Sequence, residues 1–334
     1  MATSAQATAV FPGARARTGM YESFYLRAVS PSEPVGLWIR HTVQKPPGER
    51  ARGSVWCTAF DAARGLPYQH KLTSERLTTP AGEWIEVGRP EGGEGGRMGP
   101  TGADGGCGGA SWSLRFEDLA PELRHLPREW LYRAPLPRTK LTSPAPSASF
   151  HGSLRLPDRP EIELAGWQGM IGHNWGAEHA ERWIWLHGVG FEEAPEAWLD
   201  VALGRLKLAG RLTPWVANGV ISLDGRRLRL GGLGARGLDV RENAGGCTLS
   251  LPAEGGAVLR VRATVPGETA AGWRYSDPDG TSEHDVANCS IAGLELELQR
   301  PGGEPRRLRS PHGGVYELGM RERDHGVPIA PFGD

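Results

Sequence analysis

The run Gly172-His173-Asn174-Trp175-Gly176-Ala177-Glu178-His179, followed by Glu181, Trp183, Trp185 and His187, crowds imidazoles, carboxylates and indoles into one short stretch. On a strand, His173 and Trp175 share one face and Asn174 takes the other. Gly172 and Gly176 permit a bulge that re-aims these side chains. A His–Glu pair among indoles is a general acid/base device, because burial shifts its pKa values toward neutrality. His173 and Glu178 are the candidates for it. The same cluster also reads as a histidine satisfied by a backbone carbonyl, with tryptophan filling a core. A metal site would draw on His173, His179 and His187. Their spacing does not match H-E-x-x-H, and a strand supplies no obvious fourth ligand, so no metal is expected.

Two further clusters carry polar chemistry. Glu283, His284, Asp285, Asn288 and Cys289 suggest a Cys–His pair, or turn residues entering a strand, and the turn reading is preferred. Late in the chain, Tyr316 and Glu317 alternate on a strand pattern and point a phenol or a carboxylate inward.

The elements that must hold these residues are short strands. The 334 residues include 48 Gly, 27 Pro and 12 Trp, a composition that breaks helices and suits pleated, half-buried surfaces. Residues 21–28, 35–43 and 54–60 read as an antiparallel meander. Residues 89–109 are rich in glycine and poor in apolar side chains, and are expected to form a mobile surface loop. Residues 114–146 carry Pro127, Pro135 and Pro137 and are expected as an extended arm across a sheet. From Arg182 strand-length runs resume, with residues 197–208 ambiguous between helix and strand. About eight strands on either side of residue 166 make two barrels or two strongly bent sheets the economical architecture.

A formal net charge of −1 gives no pull toward nucleic acid or acidic membranes. No stretch approaches the ~20 apolar residues of a membrane-spanning helix, and residues 1–18 contain no signal-peptide core. The four scattered cysteines lack a C-x-x-C pair, which favours free thiols and a cytoplasmic setting.

Three motifs in order along the chain point to a known family. They are Tyr21-Glu22-Ser23-Phe24-Tyr25, then Gly169-x-x-Gly172-His173-Asn174-Trp175-Gly176 leading into Trp183-Ile184-Trp185, and finally Gly314-Val315-Tyr316-Glu317. Together they resemble the hydroxyneurosporene synthase (carotenoid 1,2-hydratase)/AttH-like family. Ser23 and Phe24 stand where that family usually has paired tryptophans, and Asn174 interrupts its usual acidic middle motif.

The resemblance implies an all-β chain of two consecutive lipocalin-like antiparallel β-barrel domains. Here they are expected as a flexible leader, 1–18, an N-terminal barrel, 19–166, and a C-terminal barrel, 167–334. It further implies a cavity for a hydrophobic isoprenoid or polyene substrate, with hydration of a carbon–carbon double bond, cyclisation or isomerisation, and no cofactor. His173 and Glu178 would then donate or relay the proton, with Asn174 orienting. Trp175, Trp183, Trp185, Tyr25, Tyr316 and Glu22 would line the substrate. The rivals are a non-catalytic lipid or isoprenoid carrier using the same cavity, and an interaction protein with a filled core.

Overall fold

The computed structural model describes residues 4–332 apart from positions 16, 209, 233, 323 and 324. Twelve strands build a first sheet: β1 Met20–Val29, β2 Val35–Lys45, β3 Arg52–Asp61, β4 Tyr68–Ser74, β5 Leu77–Thr78, β6 Ile85–Arg89, β7 Glu94–Met98, β8 Gly102–Cys107, β9 Ala110–Glu117, β10 Leu123–Arg124, β11 Thr139–Arg155 and β12 Ile162–Gly176. The second sheet and a small ribbon use β13 Arg182–Gly188, β14 Trp198–Arg205, β15 Lys207–Leu208, β16 Arg211–Leu212, β17 Val216–Leu223, β18 Arg226–Gly231, β19 Asp239–Asn243, β20 Gly246–Pro252, β21 Val258–Thr264, β22 Ala271–Ser276, β23 Glu283–Gln299 and β24 Arg306–Met320. There is no α-helix among the described residues, so the ambiguous segment 197–208 resolves as strand β14 followed by the start of the ribbon.

Both sheets are antiparallel and follow one scheme. The first strand of each pairs with the last, β1 with β12 and β13 with β24, so each meander closes back on itself. The penultimate strands β11 and β23 each carry register shifts beside that closure. The first sheet forms a nearly closed barrel. The changeover between sheets falls between residues 176 and 182, and residue 166 lies inside β12.

Every residue of β1 is buried, because the strand is covered on both faces. Phe24, Leu26 and Ala28 face the core of the first barrel, with Leu37, Ile39, Val43 and Ile171. Tyr25 faces the second sheet and meets Met170, Trp185 and Val315. Trp38, Trp56 and Phe60 cross the same junction to join the second core. Trp56 packs edge-on against Trp273 at 4.9 Å.

Two sequence expectations need correction. The glycine-rich residues 89–109 are not a loop: β7 and β8 form most of them and enter the barrel wall. Here glycine serves close backbone approach. A Cβ on Gly95 would sit 2.2 Å from the Val87 carbonyl oxygen, and one on Gly105 2.4 Å from that of Gly95. The residues expected as a flexible leader are tied down. Ala5 donates its amide to Pro100 O, Lys45 Nζ donates to the Arg15 and Thr18 carbonyls, and Val10 and Phe11 donate to Glu22. A fully buried carboxylate needs donors, and this segment supplies them.

Candidate active site between the two sheets

The β1–β12 ribbon presents different chemistry on its two faces. On the first-barrel face, Glu22 lies beside His173, and His173 Nε2–H donates to Glu22 Oε1 at 2.7 Å. Glu22 also accepts from the Val10 amide at 2.8 and 3.0 Å and from that of Phe11 at 2.7 Å. His173 is stacked between Phe24 (4.3 Å) and Trp175 (4.6 Å). With both Glu22 oxygens taken by these three donors, the pair anchors the N-terminal segment against the barrel.

The residues singled out in the sequence are therefore divided. His173, Trp175 and Glu22 share the first-barrel face. Glu178 is not near His173; it is partly exposed and pairs with Arg138. Asn174 takes the opposite face from His173, with its Oδ1 buried and without a hydrogen-bond partner. Tyr25 and Trp185 meet edge-on at 5.3 Å in the junction. Burial, followed by the charges of Asp200 and Glu317, pushes the Tyr25 phenol well above its ordinary pKa. Trp183 donates to Glu317 Oε1 at 2.9 Å, and Asn288 Nδ2 donates to the other oxygen. Tyr316 is buried in the second core, its hydroxyl donating to Asn243 O.

The junction also assembles groups that no local pattern marked. His179 donates both its backbone N–H and its Nδ1–H to Asp277 Oδ1, each at 2.8 Å. Its Nε2 is buried with no partner. Tyr21 stacks on the imidazole at 4.1 Å, and Trp183 and Tyr275 lie beyond it. Asp277 is held below the usual carboxylate range: burial raises its pKa, but the hydrogen bonds and charge of His179 outweigh that. His284, also in this cluster, is pushed down to about 4 by burial and then by the charge of His179.

A pocket of about 10 Å³ opens here, lined by Tyr21, Glu22, Arg40, Thr42, Val43, Gln44, Trp56, His179, Tyr275 and Ser276. That is room for about one water-sized group. The aromatic wall already holds a cation: the Arg40 guanidinium lies 4.1 Å from the Tyr275 ring, 5.5 Å from Trp56 and 6.0 Å from Trp38. An imidazole oriented by a carboxylate, with its second nitrogen free beside an aromatic cage, is equipped to give and take a proton.

His179, Asp277 and His284 are also the group among the described residues whose donor atoms, within 4.8 Å of one another, offer two imidazoles and a carboxylate to a metal ion. This differs from the set His173, His179 and His187. His187 is spent on Pro146 O at 2.9 Å and lies 3.4 Å from Arg27. A second polar network crosses the junction at Asp200, which accepts from Ser143 Oγ (2.5 Å) and Trp185 Nε1 (3.2 Å) and faces His125 Nε2 at 3.3 Å. His125 uses its other nitrogen on Asn218 O, so this Ser–His–Asp set is a closed structural latch with no free nucleophile. All four cysteines are buried and free, and Cys289 has only Thr269 for a side-chain partner, its thiol pushed up to about 11 by burial.

Sequence reasoning missed Asp277, Tyr275 and Arg40 because each lies far along the chain from its partner. His284 carried a signal, its position in a His-Asp-x-x-Asn-Cys run, but that run is the start of β23 and not a turn.

Comparison with known proteins agrees with this architecture. No protein-family profile matches the sequence. The uncharacterised protein Rv0493c of Mycobacterium tuberculosis is 26% identical over 308 residues, 87% of this chain and 85% of that protein. Among solved structures, CghA bound to Sch210972 superposes with a TM-score of 0.59 at 12% identity, covering 91% of this chain and 88% of that one. A putative AttH from Nitrosomonas europaea gives 0.51 at 12% identity over 96% and 100% of the two chains. Kievitone hydratase from Nectria haematococca gives 0.52 at 10% identity over 91% and 90%. The chain has the AttH-like fold of paired lipocalin-like β-barrels that these three proteins share.

Proposed function

We propose that this protein is an enzyme that hydrates, cyclises or isomerises an unsaturated hydrophobic small molecule of the isoprenoid or polyene class, starting from a proton transfer in the junction pocket. The observation that carries the reading is His179: oriented through Nδ1 by Asp277, it presents a buried, unpartnered Nε2 among the rings of Tyr21, Trp183 and Tyr275. The fold is the one that kievitone hydratase has.

In the hydration form, the His179 imidazolium donates its Nε2 proton to one alkene carbon. The cation formed on the other carbon faces Tyr21 and Trp183, which flank the imidazole and whose quadrupoles favour positive charge. Water adds to that carbon and returns a proton to Nε2, so the imidazolium is regenerated. The anionic Asp277 stabilises the charged imidazole and fixes its tautomer. In the isomerising form the cation instead loses a neighbouring proton to Nε2; in the cyclising form a second double bond attacks it first, and the new cation then loses the proton. With room for only one small group, the site admits a substrate chain only as side chains at the junction move apart.

One observation favours the carrier reading. A second pocket, about 220 Å³ and apolar, lies at the end of the second sheet among Trp215, Val216, Ala217, Leu238 and Pro252. Binding of an apolar ligand there, without conversion, is what a carrier predicts.

The test is incubation of the full chain with a panel of polyenes and unsaturated isoprenoids in deuterated water. The expected result is a product carrying solvent deuterium, lost about a hundredfold or more in His179→Gln, in keeping with removal of a general acid. Absence of conversion across the panel, or a His179→Gln variant as active as the parent, contradicts the reading.

A further inference from the structure

Arg40 is a buried cation with no counter-ion. It is 5% exposed, yet no carboxylate lies within ion-pair distance of it among the described residues. Its Nε–H donates to Ser23 Oγ at 2.6 Å. Its guanidinium carbon sits over Tyr275 at 4.1 Å, and the residue lines the small junction pocket. Arg27, buried on the same face of β1–β2, makes the contrast clear: its two Nη nitrogens are spent on the carbonyls of Gly313 (3.1 Å) and Ser290 (2.8 Å). No protein acceptor takes the Nη groups of Arg40 among the described residues.

The anions nearby are already committed. Both Glu22 oxygens take amide and imidazole donors on the first-barrel face, and Asp277 is held by His179. A buried guanidinium is stabilised by an anion that accepts its paired N–H groups, and the planar fork fits a carboxylate in particular. The pocket's volume of about 10 Å³ holds a water-sized group, so a carboxylate and the chain behind it enter as the junction side chains move apart.

We propose that the substrate of this site is an acid: an unsaturated hydrophobic molecule whose carboxylate is received by the Nη groups of Arg40. Its chain runs over Tyr275 and Trp56 toward His179. This deepens the proposed function and rests on its placing the reaction in the junction pocket. It names Arg40 as the specificity-determining residue.

The experiment titrates the full chain with a conjugated tetraene fatty acid and, separately, with its methyl ester, reading quenching of tryptophan fluorescence. The acid is expected to bind about tenfold tighter or better, the range of a charge-assisted hydrogen-bond pair. Arg40→Gln brings the acid to the ester's affinity and leaves the ester unchanged, and Arg40→Lys retains part of the preference. Equal binding of acid and ester by the unaltered protein, binding of neither, or an Arg40→Gln variant that keeps the preference overturns the proposal. The acid–ester comparison needs no variant to fold. Conversion of a neutral polyene in deuterated water, with no preference for acids, would remove this inference and leave the proposed reaction standing.

Discussion

At the scale of single residues, the two histidines of the central motif do different things. His173 spends Nε2 on Glu22, which also ties the amides of Val10 and Phe11 to the barrel. His179, six positions on, keeps Nε2 free and faces the other side. Glu22→Gln replaces a three-donor acceptor with a group that must itself donate. It is expected to cost about 1–3 kcal/mol, the range for leaving buried donors unsatisfied. Hydrogen exchange at the Val10 and Phe11 amides should accelerate, whereas unchanged protection at both would show that Glu22 does not hold the segment. The facing of His173 and Trp175 was legible from strand alternation alone. The partner of His173 was not: Glu22 is 151 positions away, and the nearby Glu178 offered itself only in sequence.

At the scale of elements, the motif's glycines explain themselves on the β1–β12 ribbon. A Cβ on Gly169 would fall 1.8 Å from the Arg27 carbonyl oxygen, and one on Gly172 2.1 Å from the Tyr25 ring. Gly172 thus makes the seat for the phenol that packs on Trp185. Gly172→Ala is expected to displace Tyr25 and to destabilise by about 1–3 kcal/mol, the usual range for overpacking a core. Denaturant unfolding measures this, and a neutral substitution would place the Tyr25 ring elsewhere. The meander 21–28, 35–43 and 54–60 was readable because β-branched and aromatic residues alternate between turn signals. Strands β7 and β8 were not readable, because their glycines serve backbone contact and leave almost no apolar pattern to detect.

At the scale of the whole molecule, two similarly wound sheets bury His187 and His284 between them, the first barrel buries His41 beside Gly96, and these imidazoles set the acid stability. Burial pushes His41 down to about 3, His187 to about 4 and His284 to about 4. Each is depressed from an unfolded value near 6.5, so the unfolded chain binds more protons between that value and about pH 4, and stability falls on acidification through the window. Three such groups give a slope of up to about 4 kcal/mol per pH unit, at ~1.4 kcal/mol each. Asp200 and Asp277 act in the same sense at lower pH, since their stabilisation is present above the ordinary carboxylate pKa and is lost as pH falls through their depressed values. Urea midpoints measured from pH 7 to pH 4.5 should drop steeply, and a flat profile would mean that these imidazoles are not buried in neutral form. The two-barrel plan was legible from strand count and from the three spaced motifs. The junction chemistry was not, because Arg40, His179 and Asp277 come from three separate regions that only the closed fold brings together.

The most direct test of the account compares the two histidines in one assay, turnover of a converted polyene or isoprenoid by His179→Gln and by His173→Gln. The account predicts that His179→Gln keeps its fold and loses kcat by about a hundredfold or more, while His173→Gln loses stability but retains kcat where it remains folded. The reverse pattern, with His173 essential to turnover and His179 dispensable, would move the chemistry to the first-barrel face and contradict the junction site.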